Sequence, residues 1–428
     1  MHGQDHRMRL AGLRGNICCV ALRLDGGLNV ELLRQLVESS PIMDWMARAR
    51  IVRPLPLLPA FWRTMAKPRT IFHEHNDQNG GGNEPWLKLR VVAERELHAV
   101  RGPALALDLV RHGDGTSHLI LSWNHTLLDA RGVELILSHL GSGEAANKSP
   151  VIENFINPKQ KTGSLAGWLR DVKLAHGSIK WLEESGREPL FTLLPEGSPA
   201  PTRHNHLRVL LFNAEETDRI GARCQQIGGG FRRSHFYLAA SIRALHNLAI
   251  RRGNRTAAYL VPVPHDTRRR GAGGPIFSNH LSILFYRLEP QQAGRMGDIL
   301  GELGRQMTNQ IRDRFPECCM AALSMFKPLP LNFYLRQIGK PTRGKFATFC
   351  FSDSGETCAG MTELAGGRIL DVTHLVPTWR PPGLTVLFIS FRGRVSTVLS
   401  WVDDCMSPAE VDGFERDLRL ALLEEEVT

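Results

Sequence analysis

Several features that would place this chain quickly in a protein class are missing from it. No run approaches the roughly 18 consecutive apolar residues that a membrane-spanning helix needs. The start, Met1 to Met8, lacks the apolar centre of a secretory signal. The eight cysteines include no Cys-x-x-Cys spacing, which argues against a structural zinc site. We therefore expect a cytoplasmic protein with reduced thiols, no metal and no transmembrane segment.

Signatures of nucleic-acid recognition are also missing. The basic residues are dispersed, apart from short runs at 251–255 and 268–270, and no zinc finger, recognition helix or RNA-binding sheet accompanies them. The formal net charge is nevertheless +10 at pH 7. A solvated basic surface explains that charge, and so does an anionic partner such as a coenzyme A phosphate or an acidic carrier protein. Nucleic acid is the weakest of these explanations.

The composition that is present suits a large soluble protein. Hydrophobic residues make up 42% and charged residues 22% of the 428 positions, which is ordinary for globular chains. Strand and helix patterns alternate along the sequence, which predicts an α/β or α+β fold. We divide the chain into a first lobe at 1–165, a helical crossover and linker at 166–205, and a second lobe at 206–428.

The predicted elements follow from hydrophobic periodicity and helix-start signals. The predicted strands lie at 16–23, 86–92, 105–110, 119–124, 206–212, 259–263, 281–288, 346–351, 385–391 and 395–402. The predicted helices lie at 28–36, 135–140, 234–250 and 408–422, with further helices indicated within 165–182 and a helix start at 213–216.

His125 and Asp129 form the most informative motif. Leu119, Leu121 and Trp123 share one face of a predicted strand with His125, and apolar residues recur at helical spacing after Gly132. A strand, a tight turn and a buried helix would hold an imidazole in place. The same His-x-x-x-Asp spacing occurs at His73, but the polar, glycine-rich stretch there predicts a surface loop.

A fixed imidazole suits proton transfer. With an ordinary pKa near 6.5, neutral histidine can accept the proton that an alcohol or amine loses as it attacks a thioester. His125 is therefore the candidate general base. The competing interpretation is a hydrogen-bonded histidine of the core.

The segment Asn124 to Ala130 resembles the His-His-x-x-x-Asp-Gly motif of the chloramphenicol acetyltransferase-like acyltransferases. This superfamily includes condensation domains, plant BAHD enzymes and bacterial wax ester synthases. Asn124 replaces the first His, and Ala130 replaces the Gly, with Gly132 two residues later. Further segments are similar in the same order: 84–90, 261–264, 276–282 with Ser278 at a family Gly position, 349–355, and the hairpin at 383–401.

This resemblance implies two similar lobes with an active-site tunnel between them. It also implies transfer of an acyl group from an acyl-coenzyme A or phosphopantetheinyl carrier-protein thioester to a hydroxyl, with no bound cofactor and no covalent acyl-enzyme. Asp129 would orient the motif by pairing with an arginine inside the lobe, which the sequence does not identify. Gly132 would relieve backbone crowding where the helix begins.

Other candidate residues have weaker support. Asn279, Ser352 and Ser354 are candidate donors to the tetrahedral oxyanion, although an ordinary turn or strand-edge hydrogen bond is the simpler explanation for each. Trp123 lines the tunnel or belongs to the core. The basic run Arg268, Arg269 and Arg270 binds a phosphate of the donor or forms a solvated loop.

Two further interpretations of function stay open. The same base would serve an amine acceptor, which gives an amide-forming N-acyltransferase, although the hydroxyl acceptor is favoured. The departures at Asn124 and Ala130 are compatible with a non-catalytic homologue that binds a carrier protein or acyl chain. The sequence leaves open the acyl length, the acceptor, the donor carrier, the oligomeric state and a peripheral contact with a membrane.

Overall fold

A computed structural model describes residues 1–53, 55, 60–65, 71–77, 96–142, 165–195, 204–228, 233–269, 271–272, 274–326 and 329–424. The helices in this part are α1 His2–Leu10, α2 Val30–Ser39, α3 Pro41–Arg48, α4 Ala130–Gly141, α5 Leu165–Ser185, α6 Ala214–Gly228, α7 Arg233–Arg251, α8 Met296–Arg312, α9 Phe315–Phe326, α10 Leu331–Gly339 and α11 Pro408–Leu423. The strands are β1 Ile17–Leu24, β2 Ala49–Val52, β3 Phe61–Thr64, β4 Phe72–Asp77, β5 Leu105–His112, β6 Ser117–Asn124, β7 Asn205–Leu211, β8 Tyr259–Asp266, β9 Leu281–Leu288, β10 Cys350–Glu356, β11 Glu363–Leu364, β12 Gly367–Leu375, β13 Leu384–Phe391 and β14 Arg394–Val402.

The chain forms two compact units that exchange segments. The first unit comprises Met1–Thr162, Thr267–His280 and Glu356–Pro377, and the second comprises Gly163–Asp266, Leu281–Gly355 and Thr378–Thr428. The mixed α/β class with two structural units is thus as predicted. The predicted boundaries at 165 and 205 divide the chain into contiguous pieces, whereas the units interleave, because two later segments return to the first unit.

A six-stranded sheet of order β11-β12-β1-β6-β5-β4 organises the first unit. β1, β5, β6 and β12 pair antiparallel, whereas β4 runs parallel to its neighbour β5. All eight residues of β6 are buried. The register of a strand buried on both faces is strongly fixed, since a shift by one residue would move every side chain to the opposite face of the sheet. The last residue of β6, Asn124, therefore has a firmly defined position.

A four-stranded sheet of order β10-β13-β14-β7 forms the centre of the second unit, beside the separate hairpin of β8 and β9. All eight residues of β13 are buried. In that unit Tyr237 of α7 stacks on Phe388 of β13 with ring centroids 4.3 Å apart. The predicted pairing of the strands near 385–391 and 395–402 is confirmed, with Phe391 opposite Arg394 at the turn.

Two sequence predictions of local structure are wrong. The stretch beginning at Phe72 is not a loop, because Phe72–Asp77 pairs with β5, and His75 is hydrogen-bonded to buried Asp108 at 2.9 Å. The strand predicted at 346–351 begins only at Cys350, since Phe346 has a φ of 59°, which interrupts extended backbone. The strand predicted at 86–92 lies outside the described residues.

Among the helices that the structure describes, none combines the length and the apolar character needed to cross a bilayer.

Candidate active site

His125 directly follows the buried strand β6 in the first unit. Its backbone N–H donates to the carbonyl of Asn16 at 2.8 Å, which ties the residue to the start of β1. Four residues later Asp129 caps α4, and its side chain accepts from the N–H of Gly132 at 2.9 Å. Asp is among the best N-cap residues, because its carboxylate satisfies one of the free N–H groups of the first turn. The strand end and the helix start therefore fix both ends of the motif.

The imidazole of His125 is oriented by one backbone carbonyl. Its Nδ1 lies 3.1 Å from the carbonyl oxygen of Leu128, and Trp123 Nε1 donates to the same oxygen at 3.0 Å. A carbonyl oxygen can only accept, so the proton of the neutral ring belongs on Nδ1. Nε2 then carries the lone pair. This arrangement is the tautomer that a base acting through Nε2 needs.

The electrostatic surroundings keep that ring neutral. Burial lowers the pKa of His125 below its ordinary 6.5, and the nearby carboxylate of Asp129 opposes that effect only partly. At pH 7 the imidazole is therefore largely unprotonated. Trp123 itself is 1% exposed and packs in the core of the unit. Trp123 is therefore a core residue, as one of the two interpretations of the sequence held. It also donates a hydrogen bond to the backbone of the motif.

The arginine partner of Asp129 is Arg268. Its Nη2 lies 2.9 Å from Asp129 Oδ1, and both side chains are almost inaccessible, at 2% and 1% exposure. Asp129 Oδ2 accepts from the backbone N–H of His280 at 2.9 Å, and Arg268 Nε donates to the carbonyl of Pro275 at 2.9 Å. The carboxylate is thus surrounded by donors and points away from any substrate role. It braces the motif against 268–280.

This pairing changes the interpretation of the basic run. Arg268 was predicted to bind phosphate or to sit on a solvated loop, but its guanidinium is enclosed and directed at Asp129. The reason is tertiary, since a buried carboxylate needs a buried cation. Arg269 is exposed. Arg270 lies outside the described residues.

Gly132 is placed where no side chain fits. A Cβ built on it would lie 2.5 Å from the carbonyl oxygen of Ile276, closer than real Cβ contacts come. The backbone of α4 and the segment beginning at Ile276 therefore approach each other directly. Crowding at the helix start is thus observed at this position, as the sequence suggested.

Residues 276–280 close over the motif. Ser278 has a φ of 72°, a left-handed conformation that glycine adopts readily, and it occupies the position where the resembling family has Gly. Its N–H donates to the carbonyl of Leu127 at 2.8 Å. Asn279 Nδ2 donates to the carbonyl of His125 at 2.7 Å. Asn279 Oδ1 is buried and has no hydrogen-bond partner within the described ranges.

Asn124, which replaces the family's first His, is fully buried and has a structural role. Its Nδ2 donates to Asp5 Oδ1 at 2.8 Å, and its Oδ1 accepts from the N–H of Thr126 at 3.0 Å. An amide supplies a donor and an acceptor at once, which a single neutral imidazole nitrogen cannot do. Asp5 could not be identified from the sequence, because nothing in its local pattern links helix α1 to a residue 119 positions away.

The two serine candidates belong to the second unit. Ser352 and Ser354 lie on β10, an edge strand of its sheet, and both are partly exposed. Between them, Asp353 accepts from the N–H of Gly355 at 2.9 Å, and burial raises the pKa of its carboxyl. Their assignment as oxyanion donors, like that of Asn279, stays a prediction. Across the described ranges, no three His, Cys, Asp or Glu side chains are grouped to hold a metal ion.

Several solved structures have an architecture similar to that of this chain. The chain is similar to a trichothecene 15-O-acetyltransferase from Fusarium sporotrichioides, at a TM-score of 0.70 and 13% identity over 98% of this chain and 93% of the other. It is equally similar to the first condensation domain of the calcium-dependent antibiotic synthetase, at 0.70 and 14% over 99% and 97%. It is also similar to the epimerization domain from the third module of tyrocidine synthetase B, at a TM-score of 0.63 and 15% identity over 95% of this chain and 90% of the other.

The chain has the chloramphenicol acetyltransferase-like fold. No protein-family model matches it, and no curated protein matches it in sequence. The likeness is therefore one of fold, spread over nearly the whole chain. Within this fold, the residues at the motif depart from the family pattern at Asn124 and Ala130, and the structure gives Asn124 a satisfied, buried position.

Proposed function

We propose that the chain is an acyltransferase that moves an acyl group from a thioester to a hydroxyl, with His125 as the general base. The observation that carries the proposal is the Nδ1 contact of His125 with the carbonyl of Leu128 at 3.1 Å. It assigns the proton to Nδ1 and the lone pair to Nε2. The fold supports the same conclusion, because one structure of this fold is named an O-acetyltransferase and others are named condensation domains.

One histidine suffices for both proton transfers of the reaction. As the acceptor oxygen attacks the thioester carbonyl carbon, its proton passes to His125 Nε2 and a tetrahedral oxyanion forms. The oxyanion then collapses, the carbon–sulfur bond breaks, and the leaving thiolate takes the proton back from Nε2. The products are an ester and a free thiol. No bond to the enzyme forms, and no cofactor is consumed.

The oxyanion needs hydrogen-bond donors where its charge develops, and each such donor is worth about 10²- to 10³-fold in rate. Asn279, Ser352 and Ser354 are our candidates. Asn279 uses one amide hydrogen on the carbonyl of His125, which leaves the second for a ligand. Its unpartnered Oδ1 can accept from a substrate hydroxyl or amine.

The donor is an acyl-coenzyme A or an acyl group on the phosphopantetheine arm of a carrier protein. Both donors are anionic, and the net charge of +10 favours association with either. We place the reaction in the cytoplasm. Formation of an amide on an amine acceptor is the alternative, because the same unprotonated Nε2 serves both nucleophiles.

The test measures thiol release from acyl-coenzyme A donors of increasing chain length and from an acylated carrier protein, each with pooled alcohols or pooled amines. Wild type is compared with His125→Ala and with His176→Ala, which removes an exposed histidine of α5. Acceptor-dependent release that only His125→Ala abolishes would support the proposal, and the product would distinguish ester from amide. Equal, feeble release by all three proteins would contradict it and favour a non-catalytic binder of the acyl carrier.

A further inference from the structure

A cavity of about 420 Å³ lies beside helix α1 in the first unit. Its size is in the range of small-molecule sites. Three of its six lining residues are arginines and one is an acid: Arg9, Leu13, Arg14, Glu96, His98 and Arg101. A concave surface with this excess of guanidinium groups attracts anions. The chemistry proposed above does not use it.

The three arginines of the lining differ in how exposed their guanidinium groups are to a ligand. Arg9 is largely compensated, because its Nε lies 3.1 Å from Asp5 Oδ2 and its Nη1 lies 3.8 Å from Glu96 Oε1. Arg14 and Arg101 are exposed at the cavity. The described lining thus combines three guanidinium groups with one carboxylate, and Arg14 and Arg101 are the arginines most accessible to a ligand.

His98 fixes the conformation of the cavity wall and adds no charge to it. Its Nδ1 accepts from the backbone N–H groups of Val100 and Arg101, at 3.1 and 3.4 Å. Those bonds hold the loop that carries Arg101 in place. The guanidinium is therefore attached to an ordered part of the cavity wall.

The cavity and the His125 loop share one hydrogen-bonded frame. Asp5 joins Arg9 of the cavity wall to Asn124, which immediately precedes His125. Arg9 Nη2 and Asn124 Nδ2 both donate to the carbonyl of Leu97, at 2.7 and 3.4 Å. A ligand held in the cavity is thus held on the same frame that positions the motif.

We propose that this cavity binds a phosphate group of the thioester donor, with Arg14 and Arg101 as its principal ligands. The inference rests on the proposed acyl transfer. Arginine suits this role, because its planar fork donates two parallel hydrogen bonds to phosphate oxygens. The phosphate is either that of the coenzyme A nucleotide or that of a carrier protein's phosphopantetheine. Both sources present anionic phosphate oxygens that a guanidinium group can bind.

Calorimetric titration without turnover tests the site directly. The probes are adenosine 3′,5′-bisphosphate for the nucleotide, 4′-phosphopantetheine for the carrier arm, and pantetheine as the phosphate-free reference. Wild type should bind at least one phosphorylated probe more tightly than pantetheine. Arg14→Gln and Arg101→Gln should each weaken that binding roughly tenfold, as expected for the loss of a charge-assisted hydrogen bond.

Two further variants separate a binding effect from a folding defect. Glu96→Gln removes the one carboxylate among the described lining residues and should tighten binding, which a damaged fold would not do. Arg63→Gln removes an exposed arginine elsewhere in the same unit and should leave binding unchanged. The preferred phosphorylated probe identifies the source of the phosphate.

The proposal is overturned if wild type does not prefer either phosphorylated probe over pantetheine, or if the two arginine variants bind like Arg63→Gln. Its failure is distinguishable from failure of the acyl transfer. Turnover of an acyl-pantetheine, which has no phosphate, depends on His125 and not on this cavity. An enzyme that reacts with acyl-pantetheine but fails the titration would retain the proposed function and lose only this site.

Discussion

Asp129 and Arg268, 139 positions apart in the chain, form a buried ion pair with Arg268 Nη2 2.9 Å from Asp129 Oδ1. Breaking such a pair from one side leaves an uncompensated buried charge. We expect Arg268→Met to lower the free energy of unfolding by about 3–5 kcal/mol. Urea unfolding measures it, with Arg269→Met as the exposed control, which should change stability by less than about 0.5 kcal/mol. Equal effects of the two variants would mean that the pair does not brace the motif.

That pair shows what the sequence can and cannot reveal. His125 and Asp129 were identified because a buried strand, a turn and an amphipathic helix are local patterns. Arg268 was not identified as the partner, because a run of arginines looks alike whether it is solvated or folded inward. Arg268 is buried because residues 267–280 belong to the first unit, and the local sequence does not predict that assignment.

The same distinction holds for the strands. β6 and β13 are rich in apolar residues, and they were predicted close to where they lie. β4 has the polar sequence Phe-His-Glu-His-Asn-Asp and was predicted as a loop. It is a strand because β5 supplies its hydrogen-bond partners and Asp108 pairs with His75. Strand formation that depends on a neighbour cannot be inferred from composition.

Gly132 offers a steric prediction. Gly132→Ala places a Cβ 2.5 Å from the carbonyl oxygen of Ile276, so α4 must move away from 276–280. We expect a stability loss of about 1–3 kcal/mol, typical of overpacking, together with reduced activity. The matched variant is Ala130→Gly at the first position of α4, where the cost should be at most about 1 kcal/mol. Thermal unfolding and thiol release check both, and a harmless Gly132→Ala would refute the close approach.

Trp123 is expected to act through the carbonyl of Leu128. Trp123→Phe removes the Nε1 donor at 3.0 Å and leaves His125 as the remaining donor to that oxygen. The carbonyl becomes less constrained, so kcat should fall while the KM for the donor stays near that of wild type. Ile120→Val, a buried packing change on the same strand, should cost about 0.5–1.5 kcal/mol of stability without that loss of kcat. Similar kcat values in both variants would show that the Trp123 hydrogen bond does not contribute to catalysis.

The pH dependence of the reaction follows from the environment of His125. Burial lowers its pKa below 6.5, so the base is fully available at neutral pH and is lost as the pH falls through the lowered pKa. We therefore expect kcat/KM to be flat near pH 7 and to decline only on the acid side of pH 6.5. Initial rates from pH 5 to 8 test this expectation. A decline that begins above pH 7 would show that another group limits the rate.

The most direct measurement is kcat/KM for wild type and His125→Ala with the best donor and acceptor pair, at pH 7.5 where the imidazole is neutral. The account predicts a fall of about 10²- to 10⁴-fold, the usual contribution of a general base. The variant should still unfold at the wild-type urea concentration, because the backbone bonds of residue 125 to Asn16 and Asn279 remain. A folded His125→Ala protein with nearly wild-type kcat/KM would contradict the assignment of His125 as the base.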